Sequence, residues 1–221
     1  MGMAIKEMMA KRAAEEIKNG DVVNLGFGIP QKVINYIPAD KTVFLHAENG
    51  ILGAGPPPPE GQEDKELIDS GGVPITTVPG ASFFDSADSF GLVRSGKLNC
   101  TVLGALEVAE NGDLANWMVP GGLIPGMGGA MDLARHAKEV IAVTMHTDKK
   151  GNSKLKKRCE LPLTAMNCVA LVITDIGVVE IDEKGFVLKE LFEGHTVEEA
   201  IEKTDAELRV AENVRIISYE E

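Results

Sequence analysis

The chain has 221 residues, 44% of them apolar and 25% charged, enough for one large domain or two small ones of a globular protein. Its 22 Lys and Arg against 34 Asp and Glu leave a formal net charge of −12. That balance excludes general electrostatic capture of a nucleic-acid backbone and directs any anionic ligand to local amides or a local basic cluster. No run approaches the roughly 18 apolar residues of a membrane span, and the N-terminal stretch has no apolar signal core. Three cysteines without metal-ligand spacing, Cys100, Cys159 and Cys168, predict no metal site and a reduced, cytoplasmic setting.

Helical spacing runs from Ile5 to Ile17, and Gly20 stands where a helix ends on glycine. Asp21–Leu25 reads as a short buried strand entering Gly26-Phe27-Gly28, with a helix opening at Pro30 and a second strand at Thr42–His46. This alternation predicts an α/β fold with parallel strands. Ile51–Asp64 carries Pro56 to Pro59 and is expected to be neither helix nor central strand, but a loop walling a site. Later strands are predicted at 99–103, 106–109, 114–117, 139–145, 169–174, 178–182 and 187–191. Asn111-Gly112 and Lys184-Gly185 close two hairpins. Thr196-Val197-Glu198-Glu199 is a capping box for a last helix. With no repeat and no linker, the economical reading is one open α/β domain, residues 1–221, on a mixed, largely parallel sheet.

Three constellations carry chemistry. In Leu45-His46-Ala47-Glu48-Asn49-Gly50 a strand ends and a carboxylate sits on a glycine turn, at the strand end where open α/β sheets bind ligands. On spacing alone the commoner outcome is a solvated turn residue. In Gly126-Met127-Gly128-Gly129-Ala130 a glycine turn opens a helix; its amides can face an anion or an oxyanion, while close helix–strand packing equally asks for small residues. Asn24-Leu25-Gly26-Phe27-Gly28 lacks the third glycine and the acidic ribose ligand of a dinucleotide site, so no nicotinamide cofactor is expected. Asn24 is polar within an apolar strand and needs a partner. The four histidines, His46, His136, His146 and His195, read as structural. The basic run Lys149, Lys150, Lys154, Lys156, Lys157 and Arg158 reads as a solvated hairpin tip.

Taken together, LHAENGILGAGP, NLGFGIP, FGLVRSG, TVLGALEV, DLANWMVPG, GMGGAMDLA and CELPLT resemble, in order, blocks of the β subunits of class I coenzyme A transferases of the 3-oxoacid, acetoacetate and butyrate types. The resemblance covers about Ala4 to Thr204. It implies the open α/β sheet that this family shares with sugar-phosphate isomerases. It also implies Glu48 as a nucleophile that carries CoA as a glutamyl thioester, in ping-pong exchange between a short-chain acyl-CoA and a carboxylic acid. Gly129 and Ala130 match positions beside that thioester, Asn24 and Asn116 match polar residues lining it, and Asn49 and Gly50 belong to the same turn. CoA would be a substrate, and no further cofactor is implied. The partner implied is an α subunit, in an α2β2 or similar assembly, with no nucleic acid and no membrane. Three positions depart from the pattern: Ala47 where the family has Ser, Lys97 where it has His, and Gly72 where some fused relatives have a CoA-contacting lysine. Competing readings are an acyl-CoA hydrolase on the same scaffold and a non-catalytic metabolite-sensing domain.

Overall fold

The structure is a computed structural model and describes residues 3–122 and 126–219. Five strands form its parallel centre: β1 (Val22–Leu25), β2 (Phe44–Ala47), β5 (Cys100–Gly104), β8 (Glu139–Val143) and β10 (Leu171–Ile173). On one side the sheet continues through β3 (Ile51–Ala54) and β4 (Thr77–Phe83), both antiparallel. On the other it continues through β11 (Gly177–Asp182), β12 (Gly185–Phe192) and β13 (Leu208–Ile217). The order across these ten strands is β13-β12-β11-β10-β8-β5-β1-β2-β3-β4. A second sheet of three short strands joins β6 (Glu107–Ala109), β7 (Leu114–Ala115) and β9 (Leu155–Lys156). The mixed, largely parallel α/β sheet predicted from the alternation of elements is what the chain builds.

The central strands are apolar on both faces, as parallel strands between helical layers must be. Successive residues therefore enter different cores. Val102 and Ile141 pack with Met9, Ala13 and Ile17 of α1 (Ile5–Glu16), whereas Leu103, Val140 and Ala142 pack with Leu133 of α3 (Ala130–His136) and Val93 of α2 (Ser86–Arg94). A fourth helix, α4 (Val197–Glu202), opens where the capping box predicts it: the Thr196 side chain accepts from the Glu199 N–H. No helix among the described residues is long and apolar enough to cross a membrane.

Several expectations are corrected. Ile51–Ala54 is a strand paired on both sides, not part of a loop, because Glu48-Asn49-Gly50 closes a hairpin and the prolines begin only at Pro56. The helix opening at Pro30 is a 3-10 helix, Pro30–Tyr36. β4, α2, β9 and β13 arise from segments in which the sequence signalled no element. The basic run is not wholly solvated. Lys154 is half-buried and donates to Thr144 Oγ1 at 3.0 Å, and Lys156 is buried and donates to Asp205 Oδ2 at 3.0 Å; Lys149, Lys150, Lys157 and Arg158 are exposed. The part of the glycine-rich loop at residues 123–125 lies outside the described residues.

Candidate active site

The site lies where β1, β2 and β5 end, on the face that carries α2 and α3. Alternation along β2 sends Ala47 and His46 to opposite faces. Ala47 packs with Ile51 and Ile75 in a small separate core, so the Ala-for-Ser departure falls in an apolar contact. His46 stands in register beside Asn24 of β1. Glu48 follows at the turn, and the Asn24 amide bridges the two, donating from Nδ2 to Glu48 Oε2 at 2.8 Å and to the His46 carbonyl at 3.1 Å. Asn24 Oδ1 receives a long bond from the Thr101 hydroxyl at 3.4 Å. The polar residue in an apolar strand thus has its partners, and the principal one is the carboxylate.

Gly129 lies against that carboxylate. A Cβ at this position would come within 3.2 Å of Glu48 Cγ and 3.1 Å of Phe90 Cζ, so glycine is what lets the loop before α3 approach. No acceptor for the Gly129 N–H is found among the described residues. The Ala130 N–H is already engaged, donating to Met127 O at 3.3 Å. A cleft of about 400 Å³ opens here, lined by Glu48, Asn116, Phe27, Leu106, Trp117, the Gly126–Ala130 turn and neighbouring backbone. Asn116 is held at its edge: Nδ2 donates to Gly104 O at 3.1 Å, and Oδ1 accepts from Thr164 Oγ1 at 2.7 Å.

Glu48, Asn24, Asn116, Gly129 and Ala130 therefore converge, whereas Asn49 and Gly50 turn to other tasks. Asn49 Nδ2 donates to Ile68 O at 2.8 Å, tethering the excursion of residues 55–76. The Gly50 N–H closes the turn on Ala47 O at 2.9 Å. Gly50 has φ +120°, and a Cβ there would stand 2.0 Å from the Phe84 carbonyl oxygen, so no other residue fits. Neither Lys97 nor Gly72 lines the cleft.

Sequence reasoning missed the supports from α2. His46, 3% exposed, pairs through Nε2 with Ser89 Oγ at 2.8 Å, and its ring stacks on Phe84. Its Nδ1 is buried without a partner, which favours the neutral tautomer with the proton on Nε2, donated to Ser89. Burial lowers the His46 pKa from its ordinary value, partly opposed by the charge of Glu48. Ser89 is sealed in the core, so this histidine–serine pair is structural, as the sequence predicts for His46. The next residue, Phe90, presses on Gly129. Arg94 pairs bidentately with Asp132 of α3 at 2.8 and 3.0 Å, locking the two helices together. The thiols are remote from this work: burial raises Cys159 to about 12 and Cys168 to about 11.

The chain is 52% identical over 210 residues to a probable coenzyme A transferase β subunit of Bacillus subtilis, covering 95% of this chain and 97% of that one. It is 50% identical over 206 residues to a succinyl-CoA:3-ketoacid coenzyme A transferase subunit of Helicobacter pylori, covering 93% and 99%. An acyl-CoA transferase from Escherichia coli O157:H7 shares the fold with a TM-score of 0.78 at 19% identity, over 99% of this chain; the chain spans 44% of that longer protein. The family model described as Coenzyme A transferase matches residues 6–203, a span that takes in Asn24, Glu48, Asn116 and Gly129, and the chain belongs to the coenzyme A transferase family.

Proposed function

We propose that this chain is the β-type subunit of an acyl-CoA:carboxylate CoA-transferase and that Glu48 carries CoA as a thioester between two acids, together with an α-type partner. The observation that carries the reading is the placement of Glu48. It stands at a strand end on the wall of a cleft, held through Oε2 by Asn24 at 2.8 Å, with Gly129 against its Cγ. A carboxylate can act as a covalent nucleophile and so split one hard exchange into easier steps. Oε1, the oxygen left free by Asn24, attacks the thioester carbonyl. The C–S bond breaks and CoA leaves as the thiolate, giving a mixed anhydride. The thiolate then attacks the glutamyl carbonyl and expels the first acid as its carboxylate, leaving glutamyl-CoA. The second acid runs the same steps in reverse, so the thioester is conserved. The Gly129 N–H is the donor best placed for the developing oxyanions, a role in which one donor is typically worth about 10²–10³ in rate.

The test is trapping. With the partner subunit present, acyl-CoA followed by borohydride should reduce the glutamyl thioester to an alcohol on the peptide holding Ala47-Glu48-Asn49. Glu48→Gln should lose both labelling and exchange. A label mapping elsewhere, or exchange surviving in Glu48→Gln, refutes the assignment. Thioester loss without any acid acceptor would instead favour a hydrolase.

A further inference from the structure

The backbone at Gly129 does not ask for glycine. Its φ of −81° and ψ of −7°, at the N-cap of α3, are open to every residue, whereas Gly126 and Gly128 before it have positive φ. What bars a side chain is crowding. A Cβ here would meet Phe90 Cζ at 3.1 Å, Phe90 Cε1 at 3.2 Å and Glu48 Cγ at 3.2 Å, all inside the separation of about 3.5–4.0 Å at which carbons pack without repulsion. The end of the Phe90 ring and the Glu48 side chain therefore share the space beside the Gly129 Cα.

The ring is itself held. Phe90 is half-buried on α2, one turn before Arg94. The Arg94 guanidinium lies 5.8 Å over the ring and is paired with Asp132 in the first turn of α3. α2 thus meets α3 at two levels, the ring on Gly129 and the ion pair one turn along. Phe90 does not line the Glu48 cleft, so it can act on the reaction only through its neighbours. We propose that Phe90 is a positioning residue for the exchange: its ring sets how closely the Gly129 amide stands to the Glu48 carboxylate. The inference rests on the reading of Glu48 as the CoA carrier. Rate depends steeply on such placement, a misplacement of about 1 Å costing on the order of 10²-fold. A side chain that stops short leaves Gly129 unsupported, and one that reaches further drives it onto Glu48.

The test varies reach on both sides of the contact, with the chain assembled with its partner subunit. Phe90→Leu withdraws the ring end, and Phe90→Tyr adds a hydroxyl at Cζ, the atom already in contact. Each should lower kcat at least about tenfold and slow formation of the borohydride-trappable adduct on Glu48 to the same extent, with KM for acyl-CoA within about twofold of wild type. Phe90→Met keeps the reach of the ring and should stay within about threefold; a loss as large as that of leucine refutes the account by reach. Gly129→Ala alone should lose on the order of 10²-fold, and adding Phe90→Leu should restore at least about tenfold, because the new methyl takes the room that the ring gives up. A side chain that served folding alone would leave the two losses additive. Wild-type kcat in folded Phe90→Leu with Glu48 still labelled, or a Gly129→Ala loss that Phe90→Leu fails to relieve, overturns the proposal and leaves the CoA-carrier reading standing. A label absent from Glu48 in the wild-type complex overturns both.

Discussion

Asn24→Ala removes the group that aims Glu48. Three bonds go: the 2.8 Å bond to Glu48 Oε2, the 3.1 Å bond to His46 O and the 3.4 Å bond from Thr101. A hydrogen bond to a charged group contributes about 1.5–3 kcal/mol. If that bond serves to hold the carboxylate against Gly129, its loss appears as about 10–10² in kcat. Stability falls separately. The His46 carbonyl and the Thr101 hydroxyl lose buried partners, at about 2 kcal/mol in sum, which for a chain of this size lowers Tm by about 4–8 °C. The assay is steady-state exchange with the partner subunit present, alongside thermal unfolding of the same preparation. The rate loss should sit in kcat and in the rate of borohydride-trappable adduct formation, with KM for acyl-CoA little changed, because Asn24 bonds to Glu48, the proposed nucleophile, and does not line the cleft. A folded Asn24→Ala protein with kcat within twofold of wild type would refute the claim that this amide positions Glu48.

Gly50→Ala should cost more than about 3 kcal/mol and give largely insoluble protein, since its Cβ meets the Phe84 carbonyl at 2.0 Å and φ is +120°; a Tm within about 3 °C of wild type, measured by circular dichroism, contradicts the packing. Ala47→Ser should change kcat by less than about threefold and destabilise by about 1 kcal/mol, because the side chain enters the Ile51–Ile75 contact; a tenfold rate change would place the hydroxyl at the reacting carboxylate after all. His146 is buried between the hydroxyls of Thr174 and Thr204, and burial lowers its pKa from 6.5 to about 4. The unfolded state therefore binds the extra proton first, and stability is present above pH 6.5 and lost as pH falls toward 4, by about 3 kcal/mol over the window. In urea titrations His146→Gln should flatten that slope, and an unchanged slope would assign the acid loss to other groups.

The sequence carried the parts of the site that are local. A carboxylate at a strand end and a glycine turn opening a helix are both short-range patterns, and both landed against the same cleft. The β2–β3 hairpin was also signalled, by Asn49-Gly50, the strongest short hairpin cue. It was overridden by the proline run, which begins only after β3 has ended at Ala54. What could not be read is nonlocal. α2, with Gly91 inside it and few strong helix formers, depends on the Asp85 cap, which accepts from the Asp88 N–H, and on tertiary contacts: His46 to Ser89 and Arg94 to Asp132. β4 contains Pro79 and Gly80 and is legible as a strand only once β3 stands beside it at the sheet edge. Asn49 shows the converse: a residue in the right motif whose amide is spent on tethering a distant carbonyl.

The neck of the excursion over residues 55–76 is closed by its own bonds, Gly55 N–H to Thr76 O at 2.7 Å and Thr76 N–H to Pro56 O at 3.0 Å. The span between is therefore an appendix whose length is decoupled from the turn that holds Glu48. Doubling the length of such a closed loop costs only about 0.6 kcal/mol, so the exposed stretch from Glu60 to Asp64 is an insertion port where an epitope, a fluorophore or a small folded module can be spliced. Two struts tie the excursion back to the body, from Asn49 to Ile68 O and from Gln31 to Asp69 Oδ2; both leave the chain beyond that port and set the boundary: cargo placed before Lys65 spares them, cargo placed at Ile68 does not.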